Sequence, residues 1–352
     1  MRVVAVCWGG PGLEHEVSAV SGKQVLAALD PERYVALPVH IRRDGLWEIE
    51  GEALHPLDAA AHMRAVGCEV VFPALHGPFG EDGTLQGFLE TAGIPYVGAG
   101  VRGSALACDK IRAKRLAAAQ GFAVAPDVVV GVDELEDAAD ALGYPLFVKH
   151  PREGSSLGMA YVSDAAELRA VGERLRPLTS TLLVEKPVEG REITAGVLAD
   201  ERGRPRALPL VLIEPQHSYF DFESKYTKGA SDKVVPAPLG TALTELIQEA
   251  ALSIHALLGL GPMSRSDFIL TDKSDFLFLE VNTIPGLTPT SLLPTAAAAA
   301  GISFRDMLTR LIELGAEGPC GGEWMPWSAP FRRSGAKSTG SSTATTAARN
   351  SS

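Results

Sequence analysis

At 352 residues the chain is too long for one small core and suits two or three domains. A hydrophobic share of 46% against 21% charged residues is ordinary globular composition, which excludes a disordered or fibrous chain. The formal net charge of -11 argues against a nucleic-acid groove as the main business, although a few placed lysines and a metal ion suffice to hold phosphate locally.

The pattern predicts a buried strand over Val3–Cys7, a Gly9-Gly10-Pro11-Gly12 loop, and a helix from Glu14 to Leu29 ended by Asp30-Pro31. Strands follow at Tyr34–Ile41 and Val70–Leu75, then a helix over Gly83–Ala92. Strands alternating with helices imply a parallel sheet with helices on its faces. A second region opens near Gly103 with a helix over Asp109–Gln120, then a strand at Pro145–His150, a Gly/Ser loop, and a strand at Met159–Val162. A helix over Asp164–Arg176 is expected with Ser163 as its cap, and a strand over Leu182–Lys186. Longer strands, Ile193–Leu198 and Ala207–Ile213, lead to a polar aromatic loop over Pro215–Lys233 and a helix over Leu243–Leu258. The strand pair Asp267–Thr271 and Phe276–Val281 precedes a proline-rich segment and a last helix near Phe304–Leu314. From Arg332 the chain is Ser/Thr/Ala/Gly-rich and is expected to be a disordered tail. Expected units are therefore 1–103, 104–188 and 189–318, with 319–352 as the tail.

Cys7, Cys68, Cys108 and Cys320 show neither CxxC spacing nor a histidine at zinc-ligand intervals. The first residues are too short an apolar run for a signal peptide, and no apolar stretch reaches bilayer-spanning length. The expectation is a soluble, cytoplasmic protein without membrane or nucleic-acid partners.

Two motifs point elsewhere and fail on context. Gly98 to Gly103 satisfies GxGxxG, but it lies at the end of the first unit and no acidic residue closes a second strand for a ribose, so it reads as a boundary turn. Gly154 to Gly158 satisfies GxSxG, but a strand follows it where a nucleophile elbow needs a helix. Glycines and serines at a hairpin tip instead offer N–H groups and hydroxyls to an anion. No GxxxxGK[ST] loop is present.

The strongest chemical signal is the strand pair. If Asp272–Asp275 is its turn, Thr271 lies opposite Phe276, and four steps along each strand place Asp267 opposite Glu280, with Asn282 on the same face. Directly opposed carboxylates repel unless a cation sits between them, and oxygen-only ligands suit Mg²⁺. A solvated strand end is the plain alternative. Arg265 beside this set can stabilise developing negative charge or serve as an ion-pair partner, and Gly286 lets its N–H approach an oxyanion.

Glu280 to Thr288 and Lys149 to Gly158, with Gly9-Gly10…Glu14-His15-Glu16-Val17-Ser18, Leu75-His76-Gly77…Gly80 to Gly87 and Cys108-Asp109-Lys110, resemble the D-alanine–D-alanine ligases of the ATP-grasp family. The resemblance runs in order from about residue 3 to about residue 315. It implies an α/β architecture: an ATP-grasp fold preceded by a Rossmann-like N-terminal domain. It also implies ATP-dependent joining of two D-alanines through an acyl phosphate, for peptidoglycan synthesis, by a homodimer. By position, Lys110, Lys149 and Ser156 would bind ATP phosphates, Glu185, Lys186 and Val188 would flank adenine, and Glu192 would meet the ribose. Asp267, Glu280 and Asn282 would hold two Mg²⁺ ions, with Mn²⁺ as a substitute. Arg265 and the Gly286 N–H would stabilise the acyl phosphate and the tetrahedral intermediate. Glu14 would meet the ammonium of the first D-alanine near His76, Ser155 would link Glu14 to Tyr226, and Lys225 and Ser291 would hold the second substrate's carboxylate. Taken alone, Glu14 also suits a helix start, His76 a turn and Tyr226 a packed loop aromatic. The presence of Tyr226 favours an amine acceptor over D-lactate. Gly12, where such ligases often carry serine, removes one hydroxyl contact.

Overall fold

The computed structural model describes residues 1–153, 158–215, 231–271 and 275–318. Ser155, Ser156, Lys225 and Tyr226, the expected turn at 272–274 and the tail from 319 lie outside the described residues.

The first sheet is built on β1 (Arg2–Gly9), flanked in parallel by β2 (Tyr34–Ile41) and β5 (Cys68–Pro73), with the short β3 (Trp47–Ile49) and β4 (Glu52–Leu54) added antiparallel at one edge. Val4 to Cys7 are all buried, as expected of a strand covered on both faces. Its helices are α1 (His15–Ala28), α2 (Pro56–Ala65) and α3 (Thr84–Ala92). The sequence pattern gave no sign of β3, β4 and α2, which are short and partly exposed.

Next come α4 (Val101–Cys108) and α5 (Lys110–Ala119), so the boundary expected at Gly103 falls inside a helix. The GxGxxG segment, expected as a boundary turn, instead runs into the first turn of α4 and is closely packed. A side chain at Gly261 would meet the Gly98 carbonyl at 2.2 Å, and one at Gly103 would meet the Gly259 carbonyl at 2.6 Å.

A second sheet orders β6 (Asp127–Gly131), β9 (Thr181–Glu185), β7 (Leu146–Lys149) and β8 (Met159–Val162), with α6 (Leu135–Leu142) and α7 (Ala165–Leu175) packed on it. Asp164, not Ser163, caps α7: its carboxylate accepts from the backbone N–H of Ala166 and Glu167. A carboxylate at that position also complements the positive end of the helix.

The third sheet contains β10 (Arg191–Ala199), β11 (Pro205–Ala207), β12 (Val211–Pro215), β13 (Ser231–Val234), β14 (Met263–Leu270) and β15 (Phe276–Asn282). The single strand expected over Ala207–Ile213 is split in two, β11 and β12, both paired with β10, and Leu208 N–H still donates to the Gly196 carbonyl of β10 at 2.8 Å. Helix α8 (Thr241–Leu258) covers one face of this sheet together with α4 and α5, while α9 (Leu292–Ala299) and α10 (Phe304–Ala316) join its other side to the first sheet. Glu313 on α10 ties that junction, accepting from Tyr34 Oη at 2.7 Å and pairing with Arg2 and Arg33.

The register of β14 against β15 differs from expectation by one residue at the turn and agrees at the site. Leu270, not Thr271, stands opposite Phe276, yet Asp267 still stands opposite Glu280 because the register shifts between Asp267 and Phe268. Leu279 is the extra residue of this bulge. An unbroken strand would put Glu280 on the same face as Phe278, in the core. The bulge keeps Phe278 and Val281 inside and turns Glu280 and Asn282 outward beside Asp267.

Candidate functional site

The outward face of the third sheet gathers Thr194 and Glu192 from β10, Arg265 and Asp267 from β14, and Glu280 and Asn282 from β15. Asp267 is 2% exposed, and its two oxygens accept from Arg265 Nε at 2.9 Å and Nη2 at 2.8 Å, a planar two-point contact that fixes both side chains. Asn282 Nδ2 lies 3.4 Å from the same carboxylate. Burial works against the Arg265 charge, but Asp267, and behind it Glu280 and Glu192, outweigh burial and raise its pKa, so the guanidinium stays charged.

Lys110 enters from the first turn of α5. Its ammonium donates to the Glu153 carbonyl at 2.9 Å and pairs with Glu280 at 3.3 Å. Burial opposes this charge also, but Glu280, Cys108 and Glu14 together raise the Lys110 pKa. The three oxygen-bearing residues on neighbouring strand positions fit a hard divalent cation: they offer no nitrogen or sulfur ligand, and each carboxylate oxygen keeps a lone pair beyond its cation contact. The unpartnered, buried Thr194 hydroxyl directly opposite Asp267 adds an oxygen to this face. Among the described residues no three His, Cys, Asp or Glu side chains cluster as a metal site, so the cradle depends on Asn282 as third donor.

Glu14 and His76 form the opposite wall. Glu14 is the N-cap residue of α1, as its helix-start reading has it, but its buried side chain makes no capping bond. Its carboxylate lies against Gly77, where a side chain would meet Glu14 Oε2 at 2.3 Å, and φ of +71° suits glycine there. His76 Nδ1 faces the Ile284 carbonyl at 3.2 Å and its Nε2 faces Ser21 Oγ at 2.7 Å. Nδ1 must therefore carry the proton and Nε2 accept from the serine. Burial lowers the His76 pKa to about 4, so the ring is neutral at pH 7. A cleft lined by Gly77, Glu81, Lys110, Arg152, Glu280 and Asn282 runs from the end of β15 to the Gly77 turn that Glu14 lies against.

The remaining expected residues occupy two outlying positions. Lys149 ends β7 and pairs with Glu185 at 2.5 Å, while Glu185 also takes the ammonium of Lys114. Burial raises the Glu185 pKa, but Lys149 and Lys114 together bring it below the ordinary value. Lys186 donates to the Gly143 and Tyr144 carbonyls, and Val188 lies in the loop before β10. On the other side, Ser291 starts α9; its hydroxyl accepts from the Thr288 N–H at 3.2 Å and lies so close to Gly286 that a side chain there would meet it at 2.8 Å. Lys233 on β13 reaches the Thr290 carbonyl at 2.7 Å.

Sequence reasoning left three site residues without a role. Glu81 stood inside a quoted motif. Lys114 looked like one more polar position on a helix. Thr194 had no signal, since only the pairing of β10 with β14 brings it opposite Asp267.

Comparison with known proteins gives a consistent picture. The family description "D-ala D-ala ligase C-terminus" matches residues 119–313, and "D-ala D-ala ligase N-terminus" matches 3–66 and 55–99. A D-alanine–D-alanine ligase of Syntrophobacter fumaroxidans is 44% identical, covering 89% of this chain and 97% of its own length. That of Streptomyces coelicolor is 38% identical over 90% and 94%. Among solved structures, the VanG D-Ala:D-Ser ligase of Enterococcus faecalis matches with a TM-score of 0.73 and 34% identity over 89% of this chain and 99% of its own. The D-alanine–D-alanine ligase of Bacillus anthracis complexed with ATP matches with a TM-score of 0.73 and 29% identity over 90% and 98%.

Proposed function

The chain belongs to the D-alanine–D-alanine ligase family, with its ATP-grasp fold, and we propose that it joins two D-alanines at the expense of ATP for peptidoglycan synthesis. The observation that carries this reading is the facing of two walls: a cationic and carboxylate cluster of Lys110, Arg265, Asp267, Glu280 and Asn282, and an anionic pocket of Glu14 beside neutral His76.

A carboxylate does not condense with an amine in water without a leaving group. The carboxylate oxygen of the first D-alanine attacks the γ-phosphorus of ATP, ADP departs, and an acyl phosphate remains. The amine of the second D-alanine then attacks the carbonyl carbon, and inorganic phosphate leaves the tetrahedral intermediate. Such transfers need alignment and charge neutralisation more than a covalent catalyst. Glu14 would hold the ammonium of the first D-alanine. Arg265 and the Gly286 N–H would face the charge that develops on phosphate and carbonyl oxygens. Lys110, Lys149 and the segment containing Ser155 and Ser156 would meet the ATP phosphates, Glu185, Lys186 and Val188 the adenine, and Glu192 the ribose. Lys225 and Ser291 would receive the second carboxylate, and Tyr226 would close the site.

Asp267, Glu280 and Asn282 would hold Mg²⁺, which supplies charge neutralisation across the phosphates. Glu185 bears on nucleotide binding in a further way. Lys114 remains its counter-ion if Lys149 swings to a phosphate, so no buried carboxylate is left unpaired. The units 1–103, 104–188 and 189–318, homodimeric assembly and a cytoplasmic location belong to the same proposal. No helix among the described residues is long and apolar enough to cross a membrane.

The resemblance to a D-Ala:D-Ser ligase favours one second reading, in which D-serine is the acceptor. The experiment is phosphate release with ATP and Mg²⁺, offering D-alanine alone, then with D-serine or D-lactate, and identifying products by mass. D-alanyl-D-alanine from D-alanine alone is expected. Product only with D-serine would replace the acceptor, and no phosphate in any mixture would remove the proposal.

A further inference from the structure

Between Asn282 and Gly286 the chain must hold two functional atoms in place: the Asn282 side-chain oxygen and the Gly286 N–H. The residue between them, Ile284, is gripped from three directions. Its side chain is 2% exposed in the core shared by the first sheet, α9 and α10. Its N–H donates to Glu81 Oε1 at 2.8 Å, and its carbonyl accepts from His76 Nδ1 at 3.2 Å. Glu81 Oε1 also receives the Thr283 hydroxyl at 3.3 Å, while Oε2 receives the Gly77 N–H at 2.9 Å. One carboxylate thus ties the turn that shapes the Glu14 pocket to the strand end that carries Asn282. Pro285 adds to this by restricting Ile284 to an extended conformation.

We propose that Glu81 is a positioning residue for the ligation, acting through its reach to Ile284 and Gly77 to hold the Asn282–Gly286 segment against the pocket of the first D-alanine. The proposal rests on the ligase reading above. Reach and charge are separable at this position. Glutamine keeps the length and an acceptor oxygen for Ile284 N–H but gives up the Gly77 bond, because its amide nitrogen is a donor. Aspartate keeps the carboxyl group but is one methylene short of a backbone N–H that a glutamate meets at 2.8 Å. If Glu81 bound a substrate ammonium instead, charge would decide and the order would reverse.

The test measures dipeptide formation, KM for ATP and for D-alanine, and nucleotide affinity by fluorescent ATP analogue for wild type, Glu81→Gln, Glu81→Asp and Thr283→Val. Expected are a kcat loss of up to about 10-fold for Glu81→Gln, which gives up Gly77, and of about 10- to 100-fold for Glu81→Asp, which leaves the buried Ile284 N–H unmet. KM for ATP and analogue affinity should stay within about 2-fold in both, which a merely structural collapse would not allow. Thr283→Val should lower kcat less than Glu81→Asp, and should add little when combined with it. Glu81→Asp equal to wild type, Glu81→Gln worse than Glu81→Asp, or losses that track nucleotide affinity would each overturn the assignment. Wild-type protein that forms no dipeptide in the same assay would instead overturn the ligase reading and this inference with it.

Discussion

His76 and His255 lie far apart in function but share one physical state. His255 on α8 is buried, with Nδ1 2.7 Å from Ser264 Oγ, and burial lowers its pKa to about 4, as for His76. The unfolded chain binds a proton near pH 6.5, whereas the folded chain resists until about pH 4. Each histidine therefore contributes stability that is complete above about pH 6.5 and is lost as pH falls toward 4. Urea unfolding followed between pH 6 and 5 should show His255→Gln flattening the decline by up to about 1.4 kcal/mol per pH unit. An unchanged slope would mean that His255 is already protonated in the fold. At the proposed catalytic face, Arg265→Ala and Glu280→Gln should each abolish turnover while the circular dichroism spectrum stays native. Near-normal dipeptide formation in either would break the site assignment.

Strand β15 shows how an element can deliver chemistry through an irregularity. Its alternation suggests that Phe276, Phe278, Glu280 and Asn282 share a face, and only the bulge at Leu279 lets the phenylalanines stay inside while the polar pair turns out. Helix α5 carries a different burden. Lys114 is 1% exposed and meets Asp127 at 3.1 Å as well as Glu185, binding the helix to β6 and β9. Asp127 keeps Arg115 and Glu185 keeps Lys149 when Lys114 is removed, so neither carboxylate becomes unpaired. Lys114→Met should therefore cost about 3 kcal/mol, at the low end for breaking a buried ion cluster. A shift in the urea midpoint measures it, and KM for ATP should rise as Lys149 is drawn more firmly to Glu185. Unchanged stability would show that the cluster is solvated.

Three sheets meet around one cleft, and the last helix, α10, closes back on the first sheet through Glu313. The matched family regions end at residue 313, and the residues after 332 carry almost no large apolar side chains. Deleting residues 334–352 should therefore leave kcat and KM unchanged within about 2-fold. A large loss would give those residues a part in the site or the assembly.

Much of the molecule was legible because local chemistry declares itself. Strands β2 and β8 fall on their expected bounds, and the facing of Asp267 and Glu280 could be read from carboxylate spacing. Even the Asp267–Glu280 pairing emerged, although through two offsetting errors, a turn displaced by one residue and an unseen bulge. The strands β3 and β4 were missed because three residues carry too little periodicity to signal, and α2 because it buries only Ala59, Ala60 and Met63; β6, α4, α6 and α9 also went unread. Strand–helix alternation by itself determined an α/β architecture, the run of family-like motifs pointed to the family, and spacing placed Asp267 opposite Glu280. The tertiary structure alone decided that Thr194 faces Asp267, that Lys114 lies between two carboxylates, and that Glu81 grips Ile284 some two hundred residues away. The physical reason is that such contacts depend on which backbones the packed core brings together, and a chain's local pattern records its own burial but not the identity of its distant neighbour.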